Sequence, residues 1–118
     1  MDRKKFEKPT MAVVVDAWSK GFGASSNGTL VSLNSGGGNT WLSSYGVLIA
    51  MRNAKPDGSV SYTVIDFTGK NKLSQTTSRH VGLAKSKLES LIPEMEEGDS
   101  QEIRSPTGME LALGKARK

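Results

Sequence analysis

Cysteine is absent from this chain of 118 residues, which excludes disulfide bridges and thiolate metal sites and suits a reducing compartment. Histidine is nearly as scarce. The single one, His80, cannot assemble a His-rich metal centre, and without cysteine the usual co-ligands are missing too. Aromatic residues make up 6% of the chain, so a core has to be built largely from Val, Leu, Ile and Ala. No apolar run approaches the roughly 20 residues needed to span a bilayer. Nor does a signal-peptide stretch follow the charged start Met1-Asp2-Arg3-Lys4-Lys5-Phe6, because Met11 to Val15 is short and runs into Asp16. Together these absences point to a cytoplasmic protein that does not engage a membrane.

The length suits one domain. Lys and Arg exceed Asp and Glu by 4, and much of the excess sits at the ends, in Arg3, Lys4, Lys5 and Lys8 and in Lys115, Arg117 and Lys118. Basic ends add sequence-independent affinity for polyphosphate; they serve equally well as solvated tails. Three regions are expected: a flexible basic arm over 1–8, a single α+β domain over 9–92, and an acidic loop with a loosely attached basic C-terminal tail over 93–118, in which 101–118 forms a loose strand or helix that frays at its end.

Pro9-Thr10 opens a helix in which Met11, Val14, Val15 and Trp18 fall on one face. The β-branched run Val13-Val14-Val15 also suits a strand, but the periodicity continues to Trp18 and Gly21 supplies a stop. After a Gly-rich loop, short β segments are expected at Thr29–Leu33, Thr40–Ser44, Gly46–Arg52 and Val60–Phe67. Lys55-Pro56-Asp57-Gly58-Ser59 is a turn sequence that makes the last two a hairpin. Gly36-Gly37-Gly38 reads as a hairpin tip. Between Trp41 and Met51, alternation puts Trp41, Tyr45, Val47, Ile49 and Met51 on one face and Leu42, Leu48 and Ala50 on the other. A second helix over about Thr77 to Leu91 carries Val81, Ala84, Leu88, Leu91 and Ile92 as a stripe, ended by Pro93. The expected fold is α+β: a small antiparallel sheet of three to four strands packed against an N-terminal helix and a second helix near 77–92.

The densest chemistry lies in Leu73-Ser74-Gln75-Thr76-Thr77-Ser78-Arg79-His80, where hydroxyls and cations open a helix. Helix starts present unpaired N–H groups and partial positive charge, so the segment can hold an anion. A capped helix looks the same, with one of Ser74, Thr76 or Thr77 as the cap. The candidate anion or nucleic-acid contacts are Lys70, Lys72, Thr76, Thr77, Ser78, Arg79, His80 and Lys87, with Lys85 beside them. No Gly-x-x-x-x-Gly-Lys-Ser/Thr loop supports ATP or GTP binding. His80 could act as a general base, but no serine sits in a Gly-x-Ser-x-Gly elbow, and a hydrogen bond to a loop carbonyl explains it as well. Trp41, Tyr45, Tyr62 and Phe67 lie on neighbouring β segments; they either stack bases beside cations or fill the core. Glu94, Glu96, Glu97 and Asp99 lack the ligand spacing of a calcium loop and read as solvated charge.

Two segments, Ser44-Tyr45-Gly46-Val47-Leu48-Ile49-Ala50 and Ser74-Gln75-Thr76-Thr77-Ser78-Arg79-His80, carry a resemblance over about residues 10–92. The chain resembles a family of short proteins of tailed bacteriophages, in which a Ser-Tyr-Gly segment precedes an apolar strand and a Thr-Thr-Ser-Arg-His segment precedes the last helix. The resemblance implies a phage origin and the cytoplasm of a host cell. It supplies no activity, no cofactor and no oligomeric state.

Catalysis requires a positioned acid, base, nucleophile or metal, so a non-enzymatic protein without a cofactor is expected. Association with nucleic acid through the basic surface is the first expectation. A protein-binding factor directed at a host protein, using the aromatic sheet face or the glycine-rich tip, is the alternative.

Overall fold

A computed structural model describes residues 10–27 and 29–116. The expected basic arm over 1–8 lies outside these residues, as do Arg117 and Lys118. The first helix, α1 (Met11–Lys20), starts where the Thr10 hydroxyl accepts from the Val13 N–H and ends where Gly21, at φ 89°, turns the chain out. Val14, Val15 and Trp18 are buried.

Six strands follow, β1 (Ala24–Ser26), β2 (Leu30–Gly36), β3 (Asn39–Ser44), β4 (Val47–Ala54), β5 (Val60–Ile65) and β6 (Ser100–Arg104). They lie side by side in chain order. The first five form an antiparallel meander, and β6 adds parallel to β5. A parallel neighbour requires a crossover, which α2 (Gln75–Leu91) provides. The sheet is therefore six-stranded and mixed, correcting the expected antiparallel sheet of three to four strands. Its two extra strands are the three-residue β1 and the polar β6. An edge strand needs a ladder on one side only, so neither requires the apolar alternation that marks the inner strands. The region expected to hold a loose strand or helix contributes both, β6 in the sheet and a third helix, α3 (Gly108–Ala116).

Helices α1 and α2 cover one face of the sheet. Leu30, Leu42, Val47, Ile49, Ala50 and Val64 meet Val14, Val15, Trp18, Val81, Ala84 and Leu88 in a single core. Trp18 packs edge-on against Tyr62 at 5.8 Å. The last carbonyls of α1 are taken up by sheet side chains: Thr40 Oγ1 donates to Trp18 O at 2.7 Å, while the Tyr62 hydroxyl and Arg52 Nε donate to Ser19 O at 3.0 and 3.1 Å. Those bonds explain why polar groups are tolerated on the buried face.

The Pro-Asp-Gly hairpin forms between β4 and β5, closed by Lys55 N–H to Ser59 O at 2.8 Å. Between β3 and β4 the chain departs from simple alternation. Tyr45 and Gly46 both have positive φ, 52° and 80°, as a two-residue type I′ hairpin turn requires. The turn, with a register shift between Leu42 and Ser43, breaks the expected single face from Trp41 to Met51. Trp41 is 46% exposed, whereas Val47, Ile49 and Ala50 are all buried. Replacing Gly46 by valine should lower stability by at least about 1 kcal/mol, because a β-branched residue is strained at φ 80°; thermal melting measures it.

Candidate functional site

The segments Ser44–Ala50 and Ser74–His80 meet in space. Ser74 caps α2, its Oγ accepting from Thr77 N–H at 3.1 Å, so the helix begins at Gln75. One turn in, Thr77 and His80 point down onto the sheet at the Tyr45–Gly46 turn. Ser44 Oγ lies 3.1 Å from Thr77 Oγ1 and 2.7 Å from His80 Nδ1, and Tyr45 stacks on the imidazole at 6.3 Å. His80 Nε2 sits 3.0 Å from Met11 Sδ at the start of α1. Every group is satisfied when protons run one way: Ser74 O–H to Thr77, Thr77 O–H to Ser44, Ser44 O–H to Nδ1, and Nε2–H to the sulfur. That order fixes a neutral imidazole.

This network corrects two of the expected anion contacts. Thr77 is fully buried and His80 is 1% exposed, so both face inward and clamp α2, the β3–β4 turn and α1 together. Burial first, and the neighbouring Arg79 charge second, push the His80 pKa below its ordinary value. A serine hydroxyl beside an imidazole resembles a nucleophile and base, but both are shut from solvent. The second ring nitrogen rests on a thioether where a triad would place a carboxylate.

Two predictions arise here. Ser44→Ala leaves buried Nδ1 without its donor and should cost about 1–3 kcal/mol, read from urea midpoints. His80 should also make stability pH-dependent. Its folded pKa is lowered, so the stabilisation is complete above the unfolded value near 6.5 and is lost as pH falls through the folded value. Stability should therefore decline on acidification from pH 7 to 5, with a shallower decline in His80→Leu. The carboxylates with lowered pKa values, such as Glu110 at about 2 beside Arg104, act only below that window.

The remaining expected contacts divide by pairing. Ser78 donates to Phe67 O at 3.3 Å, and Thr76 is half-buried in the first turn. Lys87 is held by Asp16 and Lys85 by Asp66, each at 2.9 Å. Lys70, Lys72 and Arg79 are exposed and form no ion pair among the described residues. The structure thus leaves three cations at the α2 start where eight contacts were expected.

The aromatic residues divide as well. Tyr62 and Phe67 are buried. Trp41 lies on the sheet face turned away from α1 and α2, in a row of ladder partners that runs Leu33, Trp41, Met51, Thr63, Glu102. Val31, Ser43 and Leu48 flank it. Helix α3 returns over one end of this face, held by the Arg104–Glu110 pair at 2.7 Å. There Leu48, Phe67, Leu113 and Gly114 line a cavity of about 260 Å³. Beyond α3 no element among the described residues covers the row, and there Leu33 is 54% and Trp41 46% exposed. Arg52, the cation nearest in sequence, points to the other face, where it donates to Ser19 O and Gly38 O. The site residues that sequence reasoning missed are Leu33 and Met51, detectable only once the register is known.

An α+β domain with one helix-covered and one partly open sheet face is what the fold and site define. No protein-family model, curated protein or solved structure matches the chain. Among the described residues no helix is long and apolar enough to cross a membrane, and no cluster of His, Asp or Glu could hold a metal ion.

Proposed function

We propose that this chain is a non-enzymatic binding protein whose contact is the open sheet face and whose partner is a protein. The carrying observation is the exposed ladder pair Leu33 and Trp41, with half-buried Met51 beside Trp41 on the next strand. Exposed apolar side chains in one contiguous patch mark interaction sites, and tryptophan is the residue most enriched where binding energy concentrates. A nucleic-acid surface would interleave aromatics with cations, and among the described residues the row carries none. The resemblance to short phage proteins supports an accessory role in a host cell. A photoreactive residue at position 33 in expressing cells tests the reading. Nuclease-resistant protein adducts are expected; nucleic-acid adducts, or none, would count against it.

A second reading, association with nucleic acid, draws on Lys70, Lys72 and Arg79 at the α2 start, solvent-facing and outside any ion pair among the described residues. Binding of labelled DNA or RNA should then weaken steeply with salt, since neutralised phosphates release counterions. Arg79→Ala should weaken it at unchanged melting temperature. No binding at low salt removes this reading.

A further inference from the structure

Helix α3 is fastened near both ends and stands off the sheet between them. In its first turn Glu110 accepts from Arg104 Nη1 and Nη2 at 2.7 and 2.9 Å and from Thr107 N–H at 2.8 Å. In its last turn Gly114 lies so close to Leu73 that a methyl group there would come within 2.6 Å of Leu73 Cδ1. The cavity of about 260 Å³ lies between the helix and the sheet. Gly46, Leu48 and Phe67 line it from the sheet side, and Glu110, Leu113 and Gly114 line it from α3. The two glycines contribute no side chain to fill it. Leu113 borders it while 61% exposed, so the cavity meets solvent beside this residue. Packed interiors leave few voids larger than a water molecule, and a space of this size is room for a ligand.

Size and lining together limit what fits. An apolar cavity of about 150 Å³ takes benzene, so in proportion this one takes a molecule of about ten heavy atoms. The only charged side chain on its wall is Glu110. Arg104 holds the Glu110 pKa at about 2, so the carboxylate is ionised at neutral pH and its charge is balanced by the guanidinium. A cationic ligand therefore gains little there, and an anionic one sets acceptor against acceptor. Glu110 is nevertheless not saturated. Its Oε1 accepts from Arg104 Nη1 and Thr107 N–H, but Oε2 accepts from Arg104 Nη2 alone among the described residues. A carboxylate oxygen accepts about two hydrogen bonds, which leaves one position on Oε2. We propose that the cavity under α3 binds a neutral, apolar molecule of about ten heavy atoms, of the indole type, whose single N–H or O–H donor rests on Glu110. This site is separate from the protein-binding reading and does not depend on it, because it lies under α3 and not on the open row.

Titration of the isotope-labelled full chain with indole, followed by amide NMR, tests the proposal. The expected result is saturable shifts centred on Gly46, Leu48 and Gly114, with a Kd below about 1 mM. Two further probes of similar size need no variant. Indene, which has the same shape but no N–H, should bind about fivefold or more weakly, the loss of one hydrogen bond to a charged acceptor. Benzoate, apolar but anionic, should cause no saturable shift at these residues. Leu113→Trp places a large side chain at the mouth and should abolish the indole shifts while melting at or above the parent temperature. Indole shifts that do not saturate, or that centre on Leu33 and Trp41, overturn the proposal. So does indene binding as tightly as indole, benzoate binding at Gly46 and Gly114, or a folded Leu113→Trp chain that takes indole like the parent.

Discussion

Trp18→Ala is expected to destabilise the fold by about 3–5 kcal/mol, the range for removing a buried aromatic side chain. Trp18 is wholly buried, edge-on to Tyr62, and holds the last turn of α1 against the sheet. Its backbone carbonyl also receives the Thr40 hydroxyl, so a shift of this turn disturbs a buried hydrogen bond as well as the packing. Domains of this size are stable by only about 5–15 kcal/mol, so the variant should lose a large share of its cooperative transition. Urea unfolding followed by circular dichroism gives the number. A loss under about 1 kcal/mol would show that α1 is not docked through this residue.

The second large effect is expected at Leu88, 1% exposed on the inner face of α2. Leu88→Ala should cost about 2–5 kcal/mol, a lost side chain plus the cavity it leaves. The Leu88 carbonyl also accepts from Gln101 Nε2 at 2.7 Å, which ties α2 to the edge strand β6. Amide exchange in β6 should therefore accelerate in Leu88→Ala more than in the Ser44→Ala variant, whose damage lies at the opposite end of α2. Equal acceleration in both would mean that α2 moves as one rigid unit.

What was legible in the sequence follows from how local each signal is. The α1 stripe, the Val81–Ala84–Leu88 part of the α2 stripe and the Pro-Asp-Gly hairpin are each written within a few residues and form at or near their expected places, whereas Ile92, expected on the stripe, lies past the helix and is 57% exposed. β1 and β6 are polar edge strands, and their pairing is set by neighbours far along the chain. The Tyr45–Gly46 turn hides because tyrosine is not a residue that turn positions with φ above zero usually take, so apolar alternation read straight through it. For the site, the hydroxyl-rich helix start was visible as chemistry, but its orientation was not. A helix start bonded to water and one bonded to Ser44 look alike until the sheet is placed beneath them. The open row was the least legible feature, since Leu33, Trp41 and Met51 come from three strands and become neighbours only through the register.

One measurement sets the two candidate surfaces directly against each other. Trp41→Glu and Arg79→Ala are compared in the same cells with the photoreactive residue at position 33, each variant first shown to melt like the parent chain. The expected result is loss of the protein adduct in Trp41→Glu and an undiminished adduct in Arg79→Ala. An adduct that persists in Trp41→Glu and disappears in Arg79→Ala would contradict the open sheet face as the contact and return the function to the cationic start of α2.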